Sequence, residues 1–95
     1  MCLITEVCFY SGQRKNLPQK GYRPDIVVDN KQTEYWGISF TELDISDFDT
    51  PTYAKAKFTF QESHYNEIHI DQKFRIMEGP REVGNGKILS IIQEE

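Results

Sequence analysis

The sequence predicts an all-β protein that folds as a six-stranded antiparallel barrel of Greek-key type. β-branched and aromatic residues occur in short runs, and turn-forming residues separate these runs at intervals of about ten residues. No segment needs a helix to explain its apolar spacing. Short strands with frequent turns are typical of an antiparallel sandwich or a small barrel. A chain of 95 residues suffices for one such domain, so we expect residues 1–95 to form a single unit.

The first three strands are predicted from bulky runs that end at turn signals. Residues 1–10 are rich in β-branched and aromatic side chains and lead into a polar stretch that contains a glycine. Residues 25–28 form a short β-branched run between a proline and a turn-forming Asp-Asn pair. Residues 35–40 are the next bulky run, and the acidic segment 41–51 after it is predicted to be an irregular loop.

The last three strands are predicted from alternation. Residues 54–60 place alanine and phenylalanine on one face and lysine and threonine on the other, as in a half-buried strand. Residues 73–78 and 87–92 repeat this pattern, so we expect them to pair as a hairpin. Their connection contains glycines that suit turns or a bulge, namely Gly79, Gly84 and Gly86.

Composition and charge restrict the classes of partner. Fifteen acidic residues against eleven basic ones leave a formal charge of -4, whereas proteins that bind nucleic acid generally carry the opposite sign. No apolar run approaches the roughly 18 residues that span a bilayer, and the start of the chain lacks the pattern of a secretory signal. We therefore expect a soluble protein without membrane contact, for which nucleic acid is a disfavoured partner.

Cysteine, histidine and carboxylate spacing argues against catalysis. Cys2 and Cys8 fall on one predicted strand, where six residues at ~3.3 Å each hold them roughly 20 Å apart, too far for a disulfide. Reduced thiols fit a cytoplasmic protein. His64 and His69 have no third metal ligand, and the acidic loop lacks the glycine and distal glutamate of a calcium loop. We expect no catalytic residue, no cofactor and no metal, so the chain is predicted not to be an enzyme.

Two sequence motifs occur in a fixed order. The first, GYRPD, covers residues 21–25, and the second, FRIMEGPREVGNG, covers residues 74–86. Together they resemble the C-terminal domain of elongation factor Tu and its relatives, in which the matching stretches read GYRPQ and F-x-I-R-E-G-G-R-T-V-G-x-G. The resemblance covers most of residues 7–91. It implies a six-stranded antiparallel barrel that packs on a preceding barrel and helps to grip the acceptor and T arms of aminoacyl-tRNA.

The resemblance does not extend to nucleotide binding, which in that family belongs to a separate N-terminal domain. The chain has no G-x-x-x-x-G-K-[ST] loop that could cradle phosphates with backbone amides. Asn30 and Lys31 begin like the guanine-reading motif N-K-x-D, but Thr33 stands at the position of the aspartate. We therefore expect neither nucleotide binding nor GTPase activity from this chain.

The resemblance also implies which residues an RNA-binding accessory of translation would use. The first glycine of the family's E-G-G segment matches Gly79, whereas Pro80 replaces the second. A family lysine aligns near His64, and the threonine of the family's D-V-T-G loop falls at residues 33–35. Basic residues around the first loop add a modest patch, so the candidate RNA contacts are Arg14, Lys15, Lys20, Arg23, His64 and Gly79.

The leading hypothesis is a stand-alone barrel that binds another protein with a face that multidomain relatives use to dock neighbouring barrels. The candidate contacts are the acidic loop and an aromatic pair, namely Tyr35, Trp36, Asp44, Asp47 and Asp49. Trp36 allows two interpretations, a plug at one barrel end or a half-exposed anchor for a partner. The acidic surface would also suit an inhibitor of a basic protein, because opposite charges steer association. A third hypothesis, a small enzyme or ligand binder, would have to use His64, His69 and the carboxylates, among which no nucleophile and base can be assigned.

Overall fold

The computed structural model describes residues 2–29, 34–59 and 68–92, and these residues form six strands closed into one antiparallel barrel. The strands are β1 (Cys2–Phe9), β2 (Asp25–Val28), β3 (Trp36–Leu43), β4 (Thr52–Phe58), β5 (Lys73–Glu78) and β6 (Arg81–Ile92). Their order around the barrel is β1-β4-β3-β2-β5-β6. Since β2, β3 and β4 form a meander and β5 returns beside β2, the connection is of Greek-key type. The predicted all-β antiparallel barrel is confirmed.

Alternation along the strands supplies the core. In β4, Ala54, Ala56 and Phe58 are buried, as predicted, while Lys55 on the opposite face is exposed. β1 follows the same rule, and its one buried polar side chain, Thr5, donates its hydroxyl to the Ala54 carbonyl at 3.0 Å. Side chains from all six strands fill the centre of the barrel. They include large aromatic rings, among them Phe9, Phe40, Phe58 and Phe74.

Several predicted boundaries differ from the structure, and the two largest differences are in β3 and β6. β3 continues to Leu43, so Glu42 lies on a strand, where its carboxylate is 3.2 Å from the Lys55 ammonium, and the acidic loop starts only at Asp44. β6 begins at Arg81, directly after a two-residue turn, and therefore contains both Gly84 and Gly86 instead of breaking at them. The β-bulge of this hairpin lies just before Gly84 in β6, because the pairing of β5 with β6 changes register between Ile76 and Met77. Phe60, predicted to end the fourth strand, lies outside the described residues.

The described part of the chain contains no helix that is long and apolar enough to cross a membrane.

Strand direction decides which connections meet. β1 starts beside the end of β4, since Leu3 pairs with Ala56, and ends beside the start of β4, since Val7 pairs with Thr52. The loop between β3 and β4 consequently lies at the end of the barrel where β1 finishes, together with the β1–β2 connection and the β5–β6 turn. We call this the loop end. The start of β3 lies at the opposite end, because Ile38 pairs with Phe58.

Candidate functional site

The predicted protein contacts do not form one site. Asp44, Asp47 and Asp49 belong to the loop end, whereas Tyr35 and Trp36 stand at the start of β3, at the opposite end. Because the strands between them run the length of the barrel, no compact contact joins the two groups. The predicted set therefore separates into an acidic loop and an aromatic position.

Trp36 is a core residue, which corrects its prediction as a contact. Only 4% of Trp36 is exposed, and its ring lies edge-on to the Phe58 ring with 6.0 Å between centroids. Its indole nitrogen donates to the Glu34 carboxylate at 3.2 Å, so the polar edge is satisfied within the chain. Of the two interpretations, the plug is the one that the burial supports. Tyr35, at 49% exposed, is the member of the pair that presents surface.

The acidic loop, residues 44–51, is anchored at several points. Ile45 and Phe48 pack against the core. The Asp49 amide donates to the Phe9 carbonyl at 2.7 Å, and the Asp49 carboxylate accepts the Ser11 amide at 3.1 Å. These bonds hold Asp49 at a φ of 59°. The hydrogen bond from Ser11 also keeps the pKa of the Asp49 carboxyl below its ordinary value.

Asp49 is thus occupied inside the chain, while Asp44 and Asp47 are not. Both of these side chains are exposed, and neither forms a hydrogen bond or ion pair within the described ranges. A loop tied down by its apolar residues and by Asp49 presents these two carboxylates in a defined position. Charged groups held in place lose less conformational entropy when a partner binds.

The basic residues at the loop end have two different roles. The Arg14 guanidinium forms an ion pair with Glu78 and lies over the Tyr22 ring, 4.7 Å from its centroid. The Tyr22 hydroxyl donates to the same Glu78 carboxylate. Arg14 therefore stabilises the contact between the first loop and the β5–β6 turn, and the charge that it could offer to RNA is partly neutralised by Glu78. Arg81 also reaches Glu78, at 3.4 Å.

Four of the other predicted RNA contacts are accessible. The side chains of Lys15, Lys20 and Arg23 are exposed and form no ion pair in the part of the chain that the structure describes. Gly79 is exposed in the β5–β6 turn, where its φ of 62° favours glycine. A shallow depression of about 260 Å³ lies between the first loop and this turn, lined by Gln13, Arg14, Lys15, Asn16, Glu78 and Arg81. His64 lies outside the described residues.

Acidification is expected to weaken the cluster around Glu78. Partial burial acts to raise the pKa of Glu78, but the hydrogen bond from Tyr22 and the charge of Arg14 outweigh it and hold the pKa below the ordinary value of 4.5. Because the pKa is lower in the folded than in the unfolded chain, this contribution to stability is present above pH 4.5 and is lost as the pH falls through the folded pKa. Lowering the pH from about 5 to about 3 should therefore reduce the Tm of the native sequence more than that of Glu78→Gln. Thermal unfolding at each pH measures the difference. Equal losses in both proteins would contradict the assignment.

The described cysteines and His69 show no feature of an activated catalytic group. Cys2 and Cys8 both lie on β1 and neither forms a disulfide, and burial together with the nearby Asp49 carboxylate raises the pKa of the Cys8 thiol. A raised pKa leaves less of the nucleophilic thiolate at neutral pH. His69 is exposed. Within residues 2–29, 34–59 and 68–92, no group of three His, Cys, Asp or Glu side chains is placed to hold a metal ion.

One surface was missed by the sequence analysis. The outer faces of β1, β5 and β6 form an open cleft of about 460 Å³. Its lining includes Lys73 and Arg75 from β5 and Lys87 from β6. The alternation of β5 places the two basic residues on the outer face, but the sequence alone does not show that Lys87 lies beside them.

The chain matches no protein-family model, and no curated protein matches it either.

Proposed function

We propose that this chain is a non-catalytic protein-interaction module that presents its acidic loop to the basic surface of another protein. The observation that supports the proposal is the anchoring of the loop. Asp44 and Asp47 are exposed and unpaired among the described residues. Ile45 and Phe48 pack against the core and hold the backbone of the loop in place. Preorganised carboxylates speed the encounter with a basic partner and reduce the entropy lost on binding.

A surface role also agrees with how the interior is used. Buried aromatic and aliphatic side chains from all six strands occupy the centre of the barrel, and among the described residues no buried side-chain polar atom lacks a hydrogen-bond partner. An enclosed ligand site would be lined by polar groups that are left for the ligand to satisfy. The exposed loops and outer strand faces are therefore the regions on which we place function.

We further propose that the barrel is a relative of the C-terminal domain of elongation factor Tu, located in the cytoplasm. The motif at residues 21–25 and the hairpin at residues 74–86 support the relationship. In the barrel, the first motif brings Tyr22 and the hairpin brings Glu78 into one hydrogen bond. Two cysteines that do not form a disulfide fit a reducing compartment. An inhibitor of a basic protein is a narrower form of the protein-interaction proposal, and it would use the acidic loop as its contact.

The alternative function is an RNA-binding accessory of translation. It is supported by the exposure of Lys15, Lys20 and Arg23, which have no carboxylate partner in the described ranges and belong, like Gly79, to connections at the loop end. Two features weigh against it. Arg14 is neutralised by Glu78, and the chain as a whole carries a formal charge of -4, which opposes a polyanion.

The test is affinity capture with the tagged protein from a lysate of its own source, with and without ribonuclease. We expect a stoichiometric protein that survives ribonuclease and whose recovery falls at least about fivefold in the double variant Asp44→Asn, Asp47→Asn. The matched control, Glu94→Gln with Glu95→Gln, changes the net charge equally and should retain the partner.

Two outcomes would overturn the leading proposal. A partner captured equally well by the Asp44→Asn, Asp47→Asn variant would remove the acidic loop from the interface. Recovery of tRNA that depends on Lys15 and Lys20 and disappears at higher salt would establish the RNA alternative in its place.

A further inference from the structure

The outer faces of β1, β5 and β6 carry a charged cleft that the proposed function does not use. The cleft has a volume of about 460 Å³ and lies on the wall of the barrel, away from the acidic loop's exposed carboxylates. Its charged and polar walls come from alternate positions of three neighbouring strands, namely Glu6, Cys8, Lys73, Arg75, Asn85 and Lys87.

Two lysines that line this cleft are direct cross-strand neighbours. Lys73 of β5 is directly opposite Lys87 of β6, and directly paired residues project to the same face of a sheet. Like charges in this position destabilise a sheet unless an anion lies between them. Neither ammonium forms an ion pair with any carboxylate in the described part of the chain. Glu6 is opposite Lys87 on the other side, yet it forms no ion pair with it.

A third cation is only loosely held. The Arg75 guanidinium lies 3.9 Å from the Glu82 carboxylate, beyond hydrogen-bond distance. Glu82 instead accepts the hydroxyl of Tyr10, which in turn accepts the Asn85 amide at 2.9 Å. Because Glu82 is bound to Tyr10, Arg75 retains most of its hydrogen-bonding capacity. The cleft therefore offers three cationic side chains whose charges are incompletely paired.

We propose that this cleft binds an extended peptide segment of a partner protein and seats a carboxylate of that segment between Lys73 and Lys87. The lining contains three basic residues and also three acidic ones, Glu6, Asp29 and Glu82, so the cleft as a whole carries no net formal charge. A polyphosphate chain would meet those carboxylates, whereas a peptide brings amide N–H groups that can donate to the Glu6 carboxylate.

The neighbouring strand supplies an apolar contact for such a peptide. Tyr53 of β4 is opposite Glu6 of β1 and continues the row that runs through Lys87 to Lys73. Its side chain is 70% exposed, and tyrosine and arginine are both enriched at protein contacts. Pro51 of the acidic loop lines part of this cleft, but Asp44 and Asp47 do not, so the inference does not depend on the proposed function.

The test is titration of the ¹⁵N-labelled protein, observed by NMR, with a capped peptide that carries one glutamate among alanine and serine residues. We expect amide shifts confined to residues 6–8, 53, 73–75 and 85–87. The double variant Lys73→Gln, Lys87→Gln should bind the peptide about tenfold more weakly, the value of one charge-assisted contact. It removes a repulsive pair, so its Tm should be equal to or above that of the native sequence.

Matched controls make the test decisive. Lys15→Gln with Lys20→Gln changes the net charge equally at the loop end and should leave the affinity for the peptide unchanged. A peptide with glutamine in place of glutamate should not bind. Absence of shifts, shifts centred on the first loop, equal binding of the glutamine peptide, or stronger binding of inorganic phosphate or an RNA oligonucleotide at the same amides would each overturn the proposal.

Discussion

Replacing Phe40 with alanine is expected to lower the free energy of unfolding by about 3–5 kcal/mol. Phe40 is fully buried at the centre of an aromatic cluster, where it meets the Phe9 ring edge-on with 6.4 Å between centroids. On its other side it stacks on the Tyr22 ring at 6.0 Å. Alanine leaves a cavity that the closed barrel cannot collapse. Urea unfolding followed by circular dichroism measures the loss.

The expected loss is large relative to the whole stability. Small domains unfold with about 5–15 kcal/mol in total, so Phe40→Ala should leave a marginal fold. It should also loosen the loop end, because Tyr22 carries both the stacked contact and the hydrogen bond to Glu78. Tyr53→Ala is the control, since that ring is largely exposed, and it should change stability by no more than about 0.5 kcal/mol. Similar effects for both variants would contradict the assigned core.

Gly86→Ala is the second change with a large expected effect, a loss of about 1–3 kcal/mol. A Cβ atom at Gly86 would lie 2.4 Å from Cζ of Phe74 and 2.8 Å from the carbonyl oxygen of Glu6. Phe74 is buried and Glu6 contributes backbone, so neither can move without shifting β1 or β5. For a domain of this size the loss corresponds to a decrease in Tm of about 4–8 °C per kcal/mol, which thermal unfolding detects.

Gly37→Ala separates this steric effect from the general preference of strands for alanine over glycine. At Gly37 the nearest atoms to an added Cβ are at 3.5 Å, an ordinary contact. Here we expect no loss, and a gain of up to about 1 kcal/mol, because alanine restricts the unfolded chain. If both variants lose stability equally, close packing at Gly86 is not the reason for the glycine.

Closure of the barrel limits how a partner can bind. The six described strands all pair on both sides, which leaves no free edge to which a partner could add a strand. A partner must therefore contact the loops or the outer strand faces. The acidic loop is a surface of the first kind, and the cleft on β1, β5 and β6 is a surface of the second kind. Each offers charges that are unpaired within the described ranges.

Sequence reasoning was reliable for the strands and poor for side-chain availability. All six strands occur where bulky or alternating runs predicted them, because a period of two depends on residues close together in the chain. The use of a charged group depends on distant residues. Arg14 is paired with Glu78, 64 positions away, and Asp49 is bound to Ser11, 38 positions away. No local pattern distinguishes these two from the exposed Lys15 and Asp47.

The sequence alone was therefore enough to determine the all-β class, the number of strands and the buried face of β4, since all of these follow from local periodicity and from turn-forming residues. Only the tertiary structure decided that Trp36 is buried while Tyr35 is exposed, and that the acidic loop and the aromatic pair lie at opposite ends. It also decided that Lys73 and Lys87 are opposite each other. These outcomes depend on strand order and register, which are set by how the whole chain buries its apolar surface around one core.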